Sequence, residues 1–174
     1  LSRARAQTGA LLEVFKAADR DAVAKAPEAV AALDPLQLCS DSDALLAQVS
    51  PPQSAALNAE VEALRVILAE ARARSDAGQY KEGLALALEA VSRAEGLDYR
   101  PVVAEALLLC GQLQEHLGDI KASEQSLLNA ISQAEASRHD VITARAATHL
   151  VLVLGARQAR FGEAHAWEKL AQGA

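Results

Sequence analysis

The chain has 174 residues, enough for one domain or one short array of repeats. Its formal net charge is -6, its Lys and Arg residues are not clustered, and aromatic residues make up only 3%. This argues against a nucleic-acid partner, because such a surface needs clustered cations and stacking rings. No apolar run reaches the roughly 18 residues of a membrane span, so we expect no direct membrane insertion. Alanine, the best helix former, occupies 40 positions, which predicts an all-α protein.

Residues 1–50 predict a helical hairpin followed by a short helix. Asp19 lies in a plausible turn and N-cap between the two helices. Pro27 interrupts the second helical pattern, which predicts a kink or a restart at this position. A short helix is expected over 41–47, and the Ser-Pro-Pro segment at 50–52 is the clearest break in the chain. We therefore divide the chain here into two regions.

Residues 54–174 carry six helical patterns separated by turns. Gly78, Gly96 and Gly118 stand where a residue in the left-handed conformation would end a helix. Pro101 suits the first turn of the helix that follows, and Asp140 suits an N-cap. The patterns predict helices at about 54–77, 80–95, 100–117, 120–136, 140–158 and 161–172.

A repeat links these helices, because the segment at 78–83 returns at 118–123, 40 residues later. Small residues recur around both copies of this segment and would allow close helix contacts, and Tyr80 and Phe161 are expected to fill gaps between helices. The small positions are Gly83, Ala87, Ala90, Gly111, Ser123, Ala130, Ala164 and Ala171. One supersecondary unit that is stacked on copies of itself predicts an α-solenoid of about three antiparallel helix pairs.

On these residues the segment 54–174 resembles the tetratricopeptide repeat family, although other helical-hairpin repeats share the same features. The period exceeds the usual length of about 34 residues, as in extended variants with longer helices. The resemblance implies that the first helix of each pair lines a concave groove. The implied groove residues are Arg65, Leu68, Arg72, Glu105, Leu108, Gln112, Glu115, His116, His149, Val153 and Arg157.

A second resemblance concerns the whole order of segments. A helical hairpin, a stretch with a central Cys39, a Pro-Pro break and then the array resemble the C-terminal region of large bacterial serine/threonine kinases. The segments 99–101, 104–106 and 138–140 fit that pattern. The resemblance implies a kinase domain upstream of this chain. The compartment stays open, cytoplasmic or, with a membrane span upstream of Leu1, extracytoplasmic.

We expect no catalytic site, cofactor or metal site within these residues. Arg138-His139-Asp140 has the letters of a kinase catalytic loop in the wrong order, and a turn with a cap explains it better. The four histidines form no tight ligand pair, and Cys39 and Cys110 lack metal-ligand spacing. We expect Cys110 to be buried, and Trp167 to seal the end of the array or to anchor self-association.

The sequence therefore predicts a non-enzymatic protein–protein interaction module that binds a peptide or partner surface in its groove. Arg65 and Arg72 on one helix face can hold a carboxylate or phosphate. The alternatives are a small-molecule sensor and a structural spacer or oligomerisation arm, with a homodimer as one form. An enclosed pocket would favour the sensor, and an open groove would favour a peptide.

Overall fold

A computed structural model describes residues 2–33, 49 and 52–173, and within these ranges the protein is all-helical, without β-strands. The helices are α1 (Ser2–Lys16), α2 (Arg20–Ala31), α3 (Ala55–Asp76), α4 (Tyr80–Glu95), α5 (Arg100–His116), α6 (Ile120–Ala136), α7 (Asp140–Val151) and α8 (Phe161–Gly173), with a π-helical segment (Leu152–Arg157) after α7. This confirms the all-α class. The short helix predicted at 41–47 and Cys39 lie outside the described residues.

The N-terminal helices contact the rest of the protein more than they contact each other. α1 packs along α3, whereas α1 and α2 share few contacts. Leu11 and Val14 are buried against Ala73 of α3 and Ala77, the C-cap of that helix. As predicted, Asp19 is the N-cap of α2, and its Oδ1 accepts a hydrogen bond from the Ala22 amide at 2.8 Å. Pro27 lies inside α2 and does not mark a restart.

From α3 onward, each helix packs mainly against the next one in the chain. The predicted small residues lie at these contacts, and two glycines allow the closest ones. A Cβ atom added at Gly111 would lie 2.7 Å from Leu127 Cγ, and one added at Gly83 would lie 2.9 Å from the Ala71 carbonyl oxygen. The predicted burial of Cys110 is also confirmed.

The turns after α3 and α5 have the same backbone geometry, 40 residues apart. Gly78 and Gly118 have φ angles of 83° and 80°, as predicted for helix-ending glycines. In each turn the next amide donates to the carbonyl four residues before the glycine, at 2.8 and 2.9 Å. This is the Schellman arrangement, which satisfies carbonyls at the end of a helix.

Three local predictions are wrong. Gly96 has a right-handed φ of -78°, because the longer turn after α4 places its left-handed residue at Asp98, with φ of 48°. Asp140 is the first residue of α7, and His139 is the N-cap. Phe161 is 71% exposed at the start of α8, because Ala164 and Trp167 make the inward contacts of that helix.

The π-helical segment breaks the single helix that was predicted over 140–158. Its wider turn accommodates one additional residue. The left-handed residue that follows it, Ala159, accordingly comes 41 positions after Gly118. Trp167 packs inward against the core formed by α5, α6 and α7. None of the helices in the described ranges is long and apolar enough to cross a membrane.

Candidate functional site

The polar residues predicted to line a groove lie on one face formed by α3, α5 and α7, here called the α3/α5/α7 face. Cross-helix contacts join most of them. The three pairs are Arg65 with Glu105, Gln112 with His149, and Glu115 with Arg157. The structure therefore brings these residues together, but as partners of one another.

At one end of the face, Arg65 of α3 binds Glu105 of α5. Arg65 Nη2 donates to Glu105 Oε1 at 3.2 Å, and Nη1 donates to Glu62 at 2.9 Å. The Glu105 side chain is only 5% exposed, and His139 Nε2 lies 3.6 Å from the same carboxylate oxygen. Two carboxylates raise the pKa of Arg65 against the opposing effect of burial. This arginine is therefore already engaged by carboxylates of its own chain.

At the other end, Arg157 of the π-helical segment binds Glu115. Arg157 Nε donates to Glu115 Oε1 at 2.7 Å, and Nη2 contacts the same oxygen. The Glu115 side chain is only 6% exposed, whereas that of Arg157 is 52% exposed. Charge-assisted bonds of this kind are among the stronger side-chain contacts. The neighbouring His116 instead stacks on Tyr80, with 4.6 Å between ring centroids.

Between these ion pairs lies a neutral contact. Gln112 Nε2 is within hydrogen-bonding distance of His149 Nε2. Burial lowers the pKa of His149 below its ordinary value of 6.5, and the positive charges of Arg72, His116 and Arg145 lower it further, against Glu115. The ring is therefore neutral near pH 7, and in this orientation its Nε2 accepts the bond from the Gln112 amide.

The three apolar residues assigned to the groove are part of the core instead. Leu68 is 8% exposed, Leu108 is 2% exposed and Val153 is fully buried. Leu68 packs with the core between α3, α4 and α5, and the other two pack with the core of α5, α6 and α7. They therefore stabilise the helix contacts and offer no surface to a ligand.

A cavity of about 390 Å³ opens at the middle of the α3/α5/α7 face. Helix α1 and the end of α2 form its remaining wall, through Gln7, Leu11, Ala32 and Leu33. The other lining residues come from α3, α5 and α7. They are Ala69, Arg72, Ala73, Asp76, Gln112, Ala144, Arg145, Thr148 and His149.

Arg145, Asp76 and Thr148 line this cavity but were not among the predicted site residues. Arg145 lies 40 positions after Glu105, which itself lies 40 after Arg65. The repeat period alone therefore marked Arg145 as a residue of the same face. No such sequence signal indicated the wall that α1 contributes, because residues 1–33 do not share the repeat.

The described residues that line the cavity carry charges of both signs. Arg72 and Arg145 are cations, Asp76 is acidic, and His149 is neutral near pH 7. Burial raises the pKa of Asp76, while Arg72 and His116 oppose that rise. Arg72 and Arg145 also take part in further polar interactions.

The described residues contain no group of three or more His, Cys, Asp or Glu side chains placed to hold a metal ion. Cys110 lies in the core, and burial raises the pKa of its thiol to about 12. A thiol with so high a pKa is a poor nucleophile at neutral pH.

No protein-family model, curated protein or solved structure matches this chain. The geometry of the α3/α5/α7 face is therefore the basis for inferring its function.

Proposed function

We propose that this chain is a non-enzymatic protein–protein interaction module, built as a short, tetratricopeptide-like α-solenoid. In this proposal α3, α5 and α7 are the first helices of three antiparallel pairs and form a concave inner face. The recurrence of the same turn after 40 residues and the packing of each helix on the next support this arrangement. The partner is a protein segment that binds along the inner face.

The observation that carries the proposal is the set of cross-helix contacts on the α3/α5/α7 face. Arg65–Glu105 and Glu115–Arg157 fix the spacing of three helices. A face that is held rigid in this way loses little conformational entropy when it binds a partner. Arg145 and Thr148 are exposed polar residues of the same face, and in this proposal the partner adds its contacts to those that these residues already make.

The resemblance to the C-terminal region of bacterial serine/threonine kinases supports a place for this module in a larger signalling protein. The segments 99–101 and 138–140, which carry that resemblance, span the N-terminal ends of α5 and α7. In this proposal the array is the sensor or partner-binding arm of the kinase, and the kinase motifs lie outside these 174 residues.

Site-specific crosslinking tests the interaction function. A photoreactive amino acid at Thr148, on the inner face, is expected to crosslink one partner from a bacterial lysate. The matched control carries the same group at Ser92, an exposed residue of α4, and is expected to leave that partner unlabelled. Equal labelling of the same protein from both positions, or no labelling from Thr148, would contradict the proposal.

A second candidate function is small-molecule sensing, which the cavity specifically favours. Its volume of about 390 Å³ lies within the range typical of ligand pockets, roughly 300–1,000 Å³. Walls from both the N-terminal helices and the α3/α5/α7 face enable a bound ligand to change how these two parts pack together.

A further inference from the structure

We infer that α2 is a lid at the cavity between α1 and the α3/α5/α7 face, held closed by a hydrogen bond between the Lys25 ammonium and the Tyr80 hydroxyl. When this bond breaks, α2 leaves its position while the repeat region stays folded. The end of α2 then moves Ala32 and Leu33 away from the cavity wall. This motion requires no partner on the α3/α5/α7 face and is a property of the chain beyond the function proposed above.

The apolar side chains of α2 attach it only weakly to the rest of the protein. The helix shares few contacts with α1 or α3, and its buried residues are two alanines, Ala22 and Ala29. Val23 and Val30 are instead more than half exposed. Small buried side chains remove little apolar surface from water, so these contacts alone stabilise the docked position of α2 only slightly.

The backbone of α2 adds little stability of its own. A helix of 12 residues is marginal in isolation. Pro27, inside the helix, lacks the amide that would complete one intrahelical hydrogen bond. Helix α2 therefore stays helical mainly because it is docked. Segments with so few buried contacts open locally at a lower free energy than the core.

One polar contact adds to this weak attachment. Lys25 Nζ donates to the Tyr80 hydroxyl oxygen at 2.8 Å. Within the described ranges, no other side-chain hydrogen bond or ion pair joins α2 to another helix. The bond to Tyr80 raises the pKa of Lys25, against the opposing effect of burial, so the donor is charged at neutral pH. Charge-assisted bonds are stronger than those between neutral groups.

Tyr80 is a well-fixed acceptor for this bond. It begins α4, and its ring stacks on His116 of α5. The Lys25 stem reaches it past Gly78, where an added Cβ atom would lie 2.9 Å from Lys25 Cδ. The glycine that ends α3 therefore also leaves room for the lysine. The bond thus joins α2 to the turn between α3 and α4.

Amide hydrogen exchange measured by NMR on the full 174-residue chain tests the lid. Lys25→Met keeps an apolar stem beside Gly78 but removes the donor, and Tyr80→Phe keeps the ring but removes the acceptor. Each is expected to speed exchange in α2 by roughly tenfold, the equivalent of one hydrogen bond to a charged group. The double variant should be no faster than the faster single variant, because both changes remove the same bond. Amides at 100–136, in α5 and α6, should keep their rates.

Lys81→Met is the matched control, because Lys81 is an exposed neighbour of Tyr80 on α4, and it should leave exchange in α2 unchanged. The Ala32 amide, which donates to the Glu28 carbonyl at 3.0 Å, reports on the cavity wall and should respond together with the start of α2. Three results would overturn the inference. They are unchanged exchange of α2 in both variants, equal acceleration in α2 and in α5 and α6, and acceleration confined to the residues before Pro27.

Discussion

The N-terminal helices and the helices from α3 onward are stabilised in different ways. From α3 to α8, neighbouring helices approach closely at glycine, alanine and serine residues, and they enclose two core clusters to which α5 contributes on both sides. Helices α1 and α2 share few contacts, and their small core, with Leu11 and Val14, depends on Ala73 of α3 and on Ala77 at the end of that helix. Contacts among its own helices thus stabilise the repeat region, whereas the N-terminal helices are stabilised by packing against α3.

The two regions meet at the cavity of about 390 Å³. Within the repeat region, small residues let the backbones of successive helices meet, and a second cavity, of about 430 Å³, lies between the end of α4 and helices α5 and α6. The N-terminal helices lack such matched positions toward the α3/α5/α7 face. A cavity remains where α1 faces α7 across α3 and α5. In the small-molecule sensing function proposed above, a ligand bound in the cavity at this boundary would change how the two regions associate.

Removing the charge of Arg65, a residue of the repeat region, is expected to lower the free energy of unfolding more than the changes described below. Arg65→Met leaves the Glu105 carboxylate, 5% exposed, without its arginine. Because the Arg65 side chain is 29% exposed, the pair is only partly buried, and its loss is expected to cost up to about 3 kcal/mol of unfolding free energy, measured by urea denaturation. Arg93→Met is the control, because its pairs with Glu60 and Glu89 are largely exposed, and should cost less than about 1 kcal/mol. Equal losses would show that the Arg65–Glu105 pair is no more important than a surface pair.

One glycine substitution in each region tests this contrast. The two substitutions should change stability in opposite directions. Gly111→Ala places a Cβ atom 2.7 Å from Leu127 Cγ, and overpacking of this kind costs about 1–3 kcal/mol. That exceeds the helix gain of about 0.5–1 kcal/mol from replacing glycine, so the melting temperature should fall. At Gly9 of α1 nothing lies within 4 Å of the added atom, so Gly9→Ala should slow hydrogen exchange in α1. Destabilisation by both substitutions would contradict the contrast between the two regions.

The pH dependence of the unfolding free energy tests His149, which lines the cavity between the two regions. We expect this effect to be the smallest of the three. The folded state holds the pKa of His149 below 6.5, so below pH 6.5 the unfolded chain binds a proton that the folded one does not. The stabilising contribution is complete above pH 6.5 and is lost as the pH falls through the folded pKa, at no more than about 1.4 kcal/mol per pH unit. His149→Gln should flatten this slope in urea denaturation series.

The control for the pH series is His165→Gln, at an exposed position of α8, which should retain the slope of the unmodified chain. A slope unchanged by His149→Gln, or removed by His165→Gln, would show that His149 is not the responsible group.

The helices and their turns were predictable because the signals are local. The helix bounds over 55–173 follow the predicted ones closely, since alanine-rich runs, Pro101 and the two positive-φ glycines each act within a few residues. Gly96 and Asp140 show the limit of such signals. Their turns depend on which residue takes the left-handed or capping conformation, and neighbours within the same turn compete for both roles.

The candidate site was only partly predictable. The resemblance to the tetratricopeptide family implied one face for Arg65, Glu105 and Arg157, but it carries no information about which charges pair across helices. Arg65 and Arg157 were therefore assigned to a partner-binding groove. The structure instead pairs Arg65 with Glu105 and Arg157 with Glu115. Leu68 and Leu108 were likewise assigned to a surface that the neighbouring helices cover.

By itself, the sequence determined the helical class, the period of 40 residues and the small residues at which helices meet, because backbone propensity and side-chain volume are properties of each residue. Only the tertiary structure decided which charges neutralise each other, the π-helical turn that carries Arg157 to Glu115, and the position of α1 over the α3/α5/α7 face. Those features depend on distances between residues that are far apart in the chain. No local sequence pattern marks a cavity, because several separate segments line it.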